Sequence, residues 1–214
     1  HTAYRRQRQM CIRDRLKAAG RAADVSAHPE ARPDYLEAEA VARLLRIAEA
    51  ADAPVIIVHL TNREALDEVA FARARGQRVY VETCPQYLSL DDGVYYDANW
   101  SMAARYVCAP PIRAEENQRA LWRGLRRGEI QTISTDHCSF TLAQKDMGRE
   151  DFTRIPGGLP GVETRGEVVY TRGVAAGRIT VAGMCRALCE NPAKLYGLCL
   201  LYTSPSPRDG LLSR

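Results

Sequence analysis

Three short strand-like segments, separated by stretches of helical period, constrain this chain more than any other feature. Val55–Ile56–Ile57–Val58 follows Pro54 as a continuous β-branched run, the pattern of a strand buried on both faces. Residues 78–83 and 130–134 read as two further strands. Before the first run, residues 35–51 place Leu36, Ala40, Leu44, Ile47 and Ala48 at helical spacing, entered after Pro33. Between the first two runs, Thr61-x-x-Glu64 fits a capping box for a helix ending at Gly76. Before the third, residues 115–127 predict a helix with Leu121, Trp122 and Leu125 inward and Gly128 as its stop. Strand–helix–strand–helix–strand implies parallel pairing in an α/β fold, either a barrel or an open sheet.

Beyond the third strand, residues 139–160 are rich in Gly, Pro and charge and read as a long functional or mobile loop. Residues 161–176 and 180–190 read as helical. Asn191–Pro192 then predicts a restarted helix, with Asn as its cap.

The two ends differ from this interior. RRQRQMCIRD (5–14) lacks helical or strand periodicity, and CLLYTSPSPRD (199–209) begins abruptly. Both strings resemble translated sequencing adapter, so residues 1–15 and 199–214 are expected to be non-native and 16–198 to be the natural segment. The charge depends on this division. The whole chain carries 30 basic and 26 acidic residues, a net +4. Seven arginines and two aspartates lie in the two ends, and the interior alone has a net charge of −1. The apparent basicity therefore implies no nucleic-acid partner and no acidic-lipid surface. No run of eighteen apolar residues could span a membrane. The interior cysteines, Cys84, Cys108, Cys138, Cys185 and Cys189, are scattered without a CxxC pair, which fits a reducing, cytoplasmic setting. Cys185 and Cys189 share a helix face and are expected as small core residues.

Chemistry concentrates at strand ends. His59 follows the first strand, and Asp136, with His137 beside it, follows the third. Side chains at the C-terminal ends of parallel strands converge on active sites in α/β barrels, and imidazole with carboxylate suits a cation such as zinc. A lone strand-end His can equally be just hydrogen-bonded, and an Asp there can cap a turn. A nucleophilic cysteine would need a base and an orienting group, and only His137 beside Cys138 offers one, with adjacent side chains pointing apart.

Eight strings occur in order: RPDYLEAEA (32–40), VIIVHLTNREAL (55–66), ETCPQYL (82–88), CAPPIR (108–113), LWRGLRRGEIQTISTDHCSF (121–140), QK (144–145), DFTRIPGGLPGVETR (151–165) and ENPAKLYGL (190–198). Together they resemble the C-terminal half of the dihydropyrimidinase and D-hydantoinase family of cyclic amidohydrolases. The resemblance implies the C-terminal portion of a distorted (β/α)8 TIM-like barrel, incomplete here. It implies hydrolysis of a dihydropyrimidine or 5-substituted hydantoin to an N-carbamoyl amino acid by the intact parent, a homotetramer or homodimer. It also implies two divalent metal ions, usually zinc, bridged by a hydroxide and by a carboxylated lysine that this segment lacks. His59 would bind the second metal, and Asp136 would bind the first and act as general base. Ala109 and Gly157, where the family pattern usually has Ser and Asn, would meet the ring amide through main-chain groups.

With two of six metal ligands, the segment alone is expected to be inactive. His28 falls in a linker and is expected to be no ligand, and Lys145 and Arg154 are expected as solvated loop charges. Two other readings are allantoinase, which CAPPIR also resembles, and a metal-free structural relative. An unrelated α/β binding module would require all eight strings to be coincidence.

Overall fold

A computed structural model describes residues 2–198. The expectation for 199–214 lies outside the described residues.

Helix α1 (Thr2–Ala18) opens the chain, so the segment without apolar periodicity is helical after all. Its Arg- and Gln-rich composition favours helix without an apolar stripe, and Ile12 and Leu16 in its later turns pack on the core. Lys17 ties it to Asp151 at 2.6 Å. The short α2 (Ala27–Glu30) leads to α3 (Asp34–Ala50), which Pro33 enters as expected. The face of α3 is a correction. Ala38, Val41, Leu45 and Ala48 are buried, whereas Leu44 and Ile47 are exposed. Both stripes have helical spacing, and α4 packs on the first.

Strand β1 (Val55–Ile57), helix α4 (Arg63–Ala74) and strand β2 (Val79–Thr83) follow. Gly76 stops the α4 segment at φ +89°, the left-handed conformation that only glycine adopts freely. The capping box is not formed. Asn62, not Thr61, caps α4 by accepting from the Ala65 amide at 2.8 Å. The Thr61 hydroxyl turns away and donates to Glu37.

Two short helices, α5 (Pro85–Ser89) and α6 (Trp100–Arg105), precede α7 (Glu115–Arg127), which ends at Gly128 with φ +74°. Leu121 and Trp122 are buried as expected, and Leu125 packs on the core. Strand β3 (Thr132–Ile133) completes a parallel three-stranded sheet of order β1-β2-β3. The register pairs Val55 with Val79, Ile57 with Val81 and Thr83 with Ile133. Ile57, Val79, Val81 and Ile133 point into the core with Val69, Leu88 and Leu121. β1 is not buried on both faces: Val55 and Ile56 are half-buried and Val58 is exposed, because β1 is an edge of the described sheet.

The long loop is more ordered than its composition implies. Helix α8 (Leu142–Asp146) starts at a complete capping box formed by Thr141 and Gln144. Helix α9 (Arg165–Val169) runs on as π-helical turns over Tyr170–Ala175, and α10 (Val181–Cys185) over Arg186–Glu190. Helix α11 (Asn191–Leu195) continues from there. Asn191 caps nothing, because the helical run continues through it with αR backbone; its side-chain amide donates to Gln131 O at 2.8 Å. Cys185 and Cys189 are exposed, contrary to expectation. No described helix is long and apolar enough to cross a membrane.

Candidate active site

The three strands are parallel, so their C-terminal ends open on one side of the sheet. There the chain leaves regular structure in an unusual way. His59 has φ +44° and Asp136 has φ +46°. A side chain in this left-handed region costs free energy, on the order of 1–3 kcal/mol, and such residues cluster at functional sites. Among the described residues one other non-glycine residue shares the conformation, Asp52 in the exposed turn after α3, where Asp tolerates it.

The backbone on either side of each residue is anchored. Leu60 N donates to Glu82 O at 2.9 Å just after His59. Ser134 N donates to Thr83 O at 3.0 Å just before Asp136. The two residues thus leave strands separated by β2, about 10 Å apart at the usual strand spacing.

His59 lines a cavity of about 410 Å³ with Arg32, Glu37, Ala109, Pro110 and Arg113. Two of the four expected site residues, His59 and Ala109, therefore share a cavity. Gly157 joins them from the side: a Cβ added there would lie 3.8 Å from Ala109 N, in ordinary contact. Asp136 does not line this cavity and is exposed on the same end of the sheet. Among the described residues, the main-chain groups of Ala109 and Gly157 have no hydrogen-bond partner.

The neighbouring histidines have other duties. His137 Nδ1 accepts from the Gly161 amide at 3.1 Å and the Val162 amide at 3.3 Å, and Cys138 N donates to Leu159 O. These bonds fold residues 157–162 back over the end of β3. His28 is buried, with Nε2 on Cys108 O at 2.8 Å and Nδ1 facing Arg32 Nη1 at 3.0 Å. Both of its ring nitrogens are therefore engaged by protein groups. Burial, with the Arg32 charge beside it, pushes its pKa down to about 3. Burial pushes the Cys84 thiol up to about 12 and the Cys108 thiol up to about 11, which leaves both as poor nucleophiles.

Sequence reasoning missed two groups. One is the ion pair of Glu37 with Arg113 on the cavity wall. The other is Lys145, which is buried rather than solvated; Arg154, by contrast, is exposed. The capping box at Thr141-x-x-Gln144 was a readable sign that Lys145 lies on a helix.

His59 and Asp136 carry donors of the type zinc takes. No group of three or more His, Cys, Asp or Glu that could hold a metal exists among the described residues. These residues do not by themselves fit a two-metal centre.

No family model matches the chain. Individual proteins do. The D-hydantoinase of Streptomyces coelicolor is 44% identical over 172 residues, 80% of this chain and 36% of that protein. The solved D-hydantoinase (dihydropyrimidinase) from Thermus sp. superposes with a TM-score of 0.86 at 35% identity, over 90% of this chain and 42% of that one. The dihydropyrimidinase of Brevibacillus agri gives 0.86 at 36% identity, over 90% of this chain and 41% of that one. The chain spans about two fifths of the length of the relatives it matches. In sequence and in fold the chain is similar to about two fifths of the length of the D-hydantoinases and dihydropyrimidinases.

Proposed function

We propose that the full-length parent of this chain hydrolyses a cyclic amide, a dihydropyrimidine or 5-substituted hydantoin, opening the ring to an N-carbamoyl amino acid. The three parallel strands are then staves of a distorted (β/α)8 barrel whose remaining staves lie elsewhere in the parent. The observation that carries this reading is the pair His59 and Asp136, each leaving the same end of a parallel sheet through a left-handed residue. The names of the relatives point to the same chemistry.

In this reading His59 and Asp136 are two donors of a two-metal centre, zinc being the expected ion, and the other donors come from the rest of the parent. Bound metal would supply an ionised water at neutral pH. The chain's own residues have separable duties. The Asp136 carboxylate holds a proton during ring opening, general acid–base work that contributes typically about 10²–10⁴-fold. The free main-chain groups of Ala109 and Gly157 orient the planar ring amide. Neither position uses its side chain for this, so Ala and Gly can stand where the family pattern implied by the resemblance has Ser and Asn. The chain by itself, with two donors, is inactive.

The test is ring opening of hydantoin and dihydrouracil by the full-length parent and its H59A and D136A variants. Each substitution should lower turnover at least ~10²-fold while the variant still unfolds cooperatively. Near-normal turnover in either variant overturns the assignment. An unmodified parent that binds no metal and opens no ring would instead be a structural relative.

A further inference from the structure

Lys145 sits within α8, in a stretch whose composition reads as solvated loop, yet it is only 4% exposed. Its ammonium donates to three main-chain carbonyls: Val107 O at 2.8 Å, Pro156 O at 2.7 Å and Gly158 O at 3.0 Å. Three donors meet three acceptors, so the group is fully satisfied. The Phe140 ring lies 5.3 Å from Nζ. No carboxylate among the described residues pairs with it. Burying a cation against carbonyl dipoles alone is a costly way to fill space, and burial lowers its pKa to about 8. An apolar side chain would pack α8 at less cost. The arrangement therefore points to something those three carbonyls do.

They belong to the two segments that carry the free main-chain groups. Val107 is two residues before Ala109, and Pro156 and Gly158 flank Gly157. The segments are also bonded directly, Gly158 N to Val107 O at 3.0 Å. Val107 O thus accepts from both Gly158 and Lys145. The lysine fixes the spacing of the two strings without using any atom of Ala109 or Gly157, whose own N–H and C=O groups have no partner among the described residues.

We propose that Lys145 is a positioning residue for substrate recognition, clamping residues 107–109 to 156–158 so that the free main-chain groups of Ala109 and Gly157 face one planar amide. The clamp rests on the cyclic-amide reading for its substrate but not for its mechanics. Lys145 touches no reacting atom, so its loss weakens binding of substrate and transition state alike. That signature is a raised KM with kcat retained.

The experiment uses the full-length parent with K145M, and K145Q should K145M fail to fold. Steady-state kinetics on hydantoin and dihydrouracil are measured well below the thermal midpoint, together with hydrogen exchange at the Gly158 amide. The expected result is a KM raised roughly tenfold or more, kcat within about threefold, and faster exchange at Gly158. K145R, which keeps charge and donors, should recover part of the KM. A folded variant with unchanged KM overturns the proposal, as does Gly158 exchange that does not move. A purely structural lysine would lower the midpoint and leave KM alone. If the unmodified parent opens no ring, the functional reading fails, and exchange at Gly158 alone decides whether the clamp exists.

Discussion

Glu37 and Arg113 meet at 3.0 Å across 76 residues of sequence, with 11% and 8% of their side chains exposed. The rest of each group is engaged too. Glu37 accepts from the Thr61 amide at 2.8 Å, and Arg113 donates to Thr61 Oγ1 at 3.1 Å and to Arg32 O. Removing one partner strands a buried charge, which costs about 3–5 kcal/mol. R113M and E37L should each destabilise the full-length parent by that order, and the double variant should recover most of it. Urea unfolding of the three variants is the check, and additive losses would show that the pair is not coupled.

Acid should weaken the fold through His28. Its folded pKa of about 3 lies below the ordinary 6.5, so between those values the unfolded chain binds a proton that the folded chain refuses. Stability is then complete above about pH 6.5 and falls as pH drops toward 3, by about 1.4 kcal/mol per pH unit from this residue. H28Q keeps a donor for Cys108 O but does not titrate. Unfolding free energies at pH 7, 6, 5 and 4 (roughly one such step per unit) should fall less steeply in H28Q than in the parent. Parallel slopes would remove His28 as the cause.

Asn62 carries the start of α4. N62A should cost about 1–2 kcal/mol, because the Ala65 amide loses its acceptor in a buried setting. Glu64 is exposed and makes no hydrogen bond among the described residues, so E64A should stay within about 0.5 kcal/mol. Equal losses in the two variants would restore the capping box that the sequence suggests.

Two adjacent glycines should respond in opposite ways. An added Cβ at Gly157 meets nothing closer than 3.8 Å, so G157A should leave the thermal midpoint unchanged. At Gly158 the same atom would lie 2.6 Å from Cys138 O and 2.7 Å from Cys138 Cβ. Part of that obstacle is backbone, so G158A should cost about 1–3 kcal/mol. A differential scan of both variants in the full-length parent decides it.

Local signals carried far in this chain. The β-branched run at 55–58 formed β1, and Gly76 and Gly128 end their segments in the conformation that glycine allows. His59 and Asp136 were legible as strand-end residues. What the sequence hid was set at long range. Thr61 has the spacing of a cap, but Glu37, 24 residues earlier, takes its hydroxyl. Asn191 also has the spacing of a cap, but the preceding helix runs straight through it, and its amide reaches Gln131 O, 60 residues away. Lys145 looks solvated until Val107, 38 residues earlier, supplies a carbonyl. In α3 the sequence offers two apolar stripes, and only packing against α4 selects between them.

The left-handed turns at His59 and Asp136 set the fold and the chemistry against each other. Glycine at either position would relieve the backbone, by something on the order of 1 kcal/mol, and delete the functional group in the same stroke. Under the proposed function, screening the full-length parent for heat resistance alone would thus select inactive variants, with the gain in melting temperature arising at the two residues assigned to the chemistry.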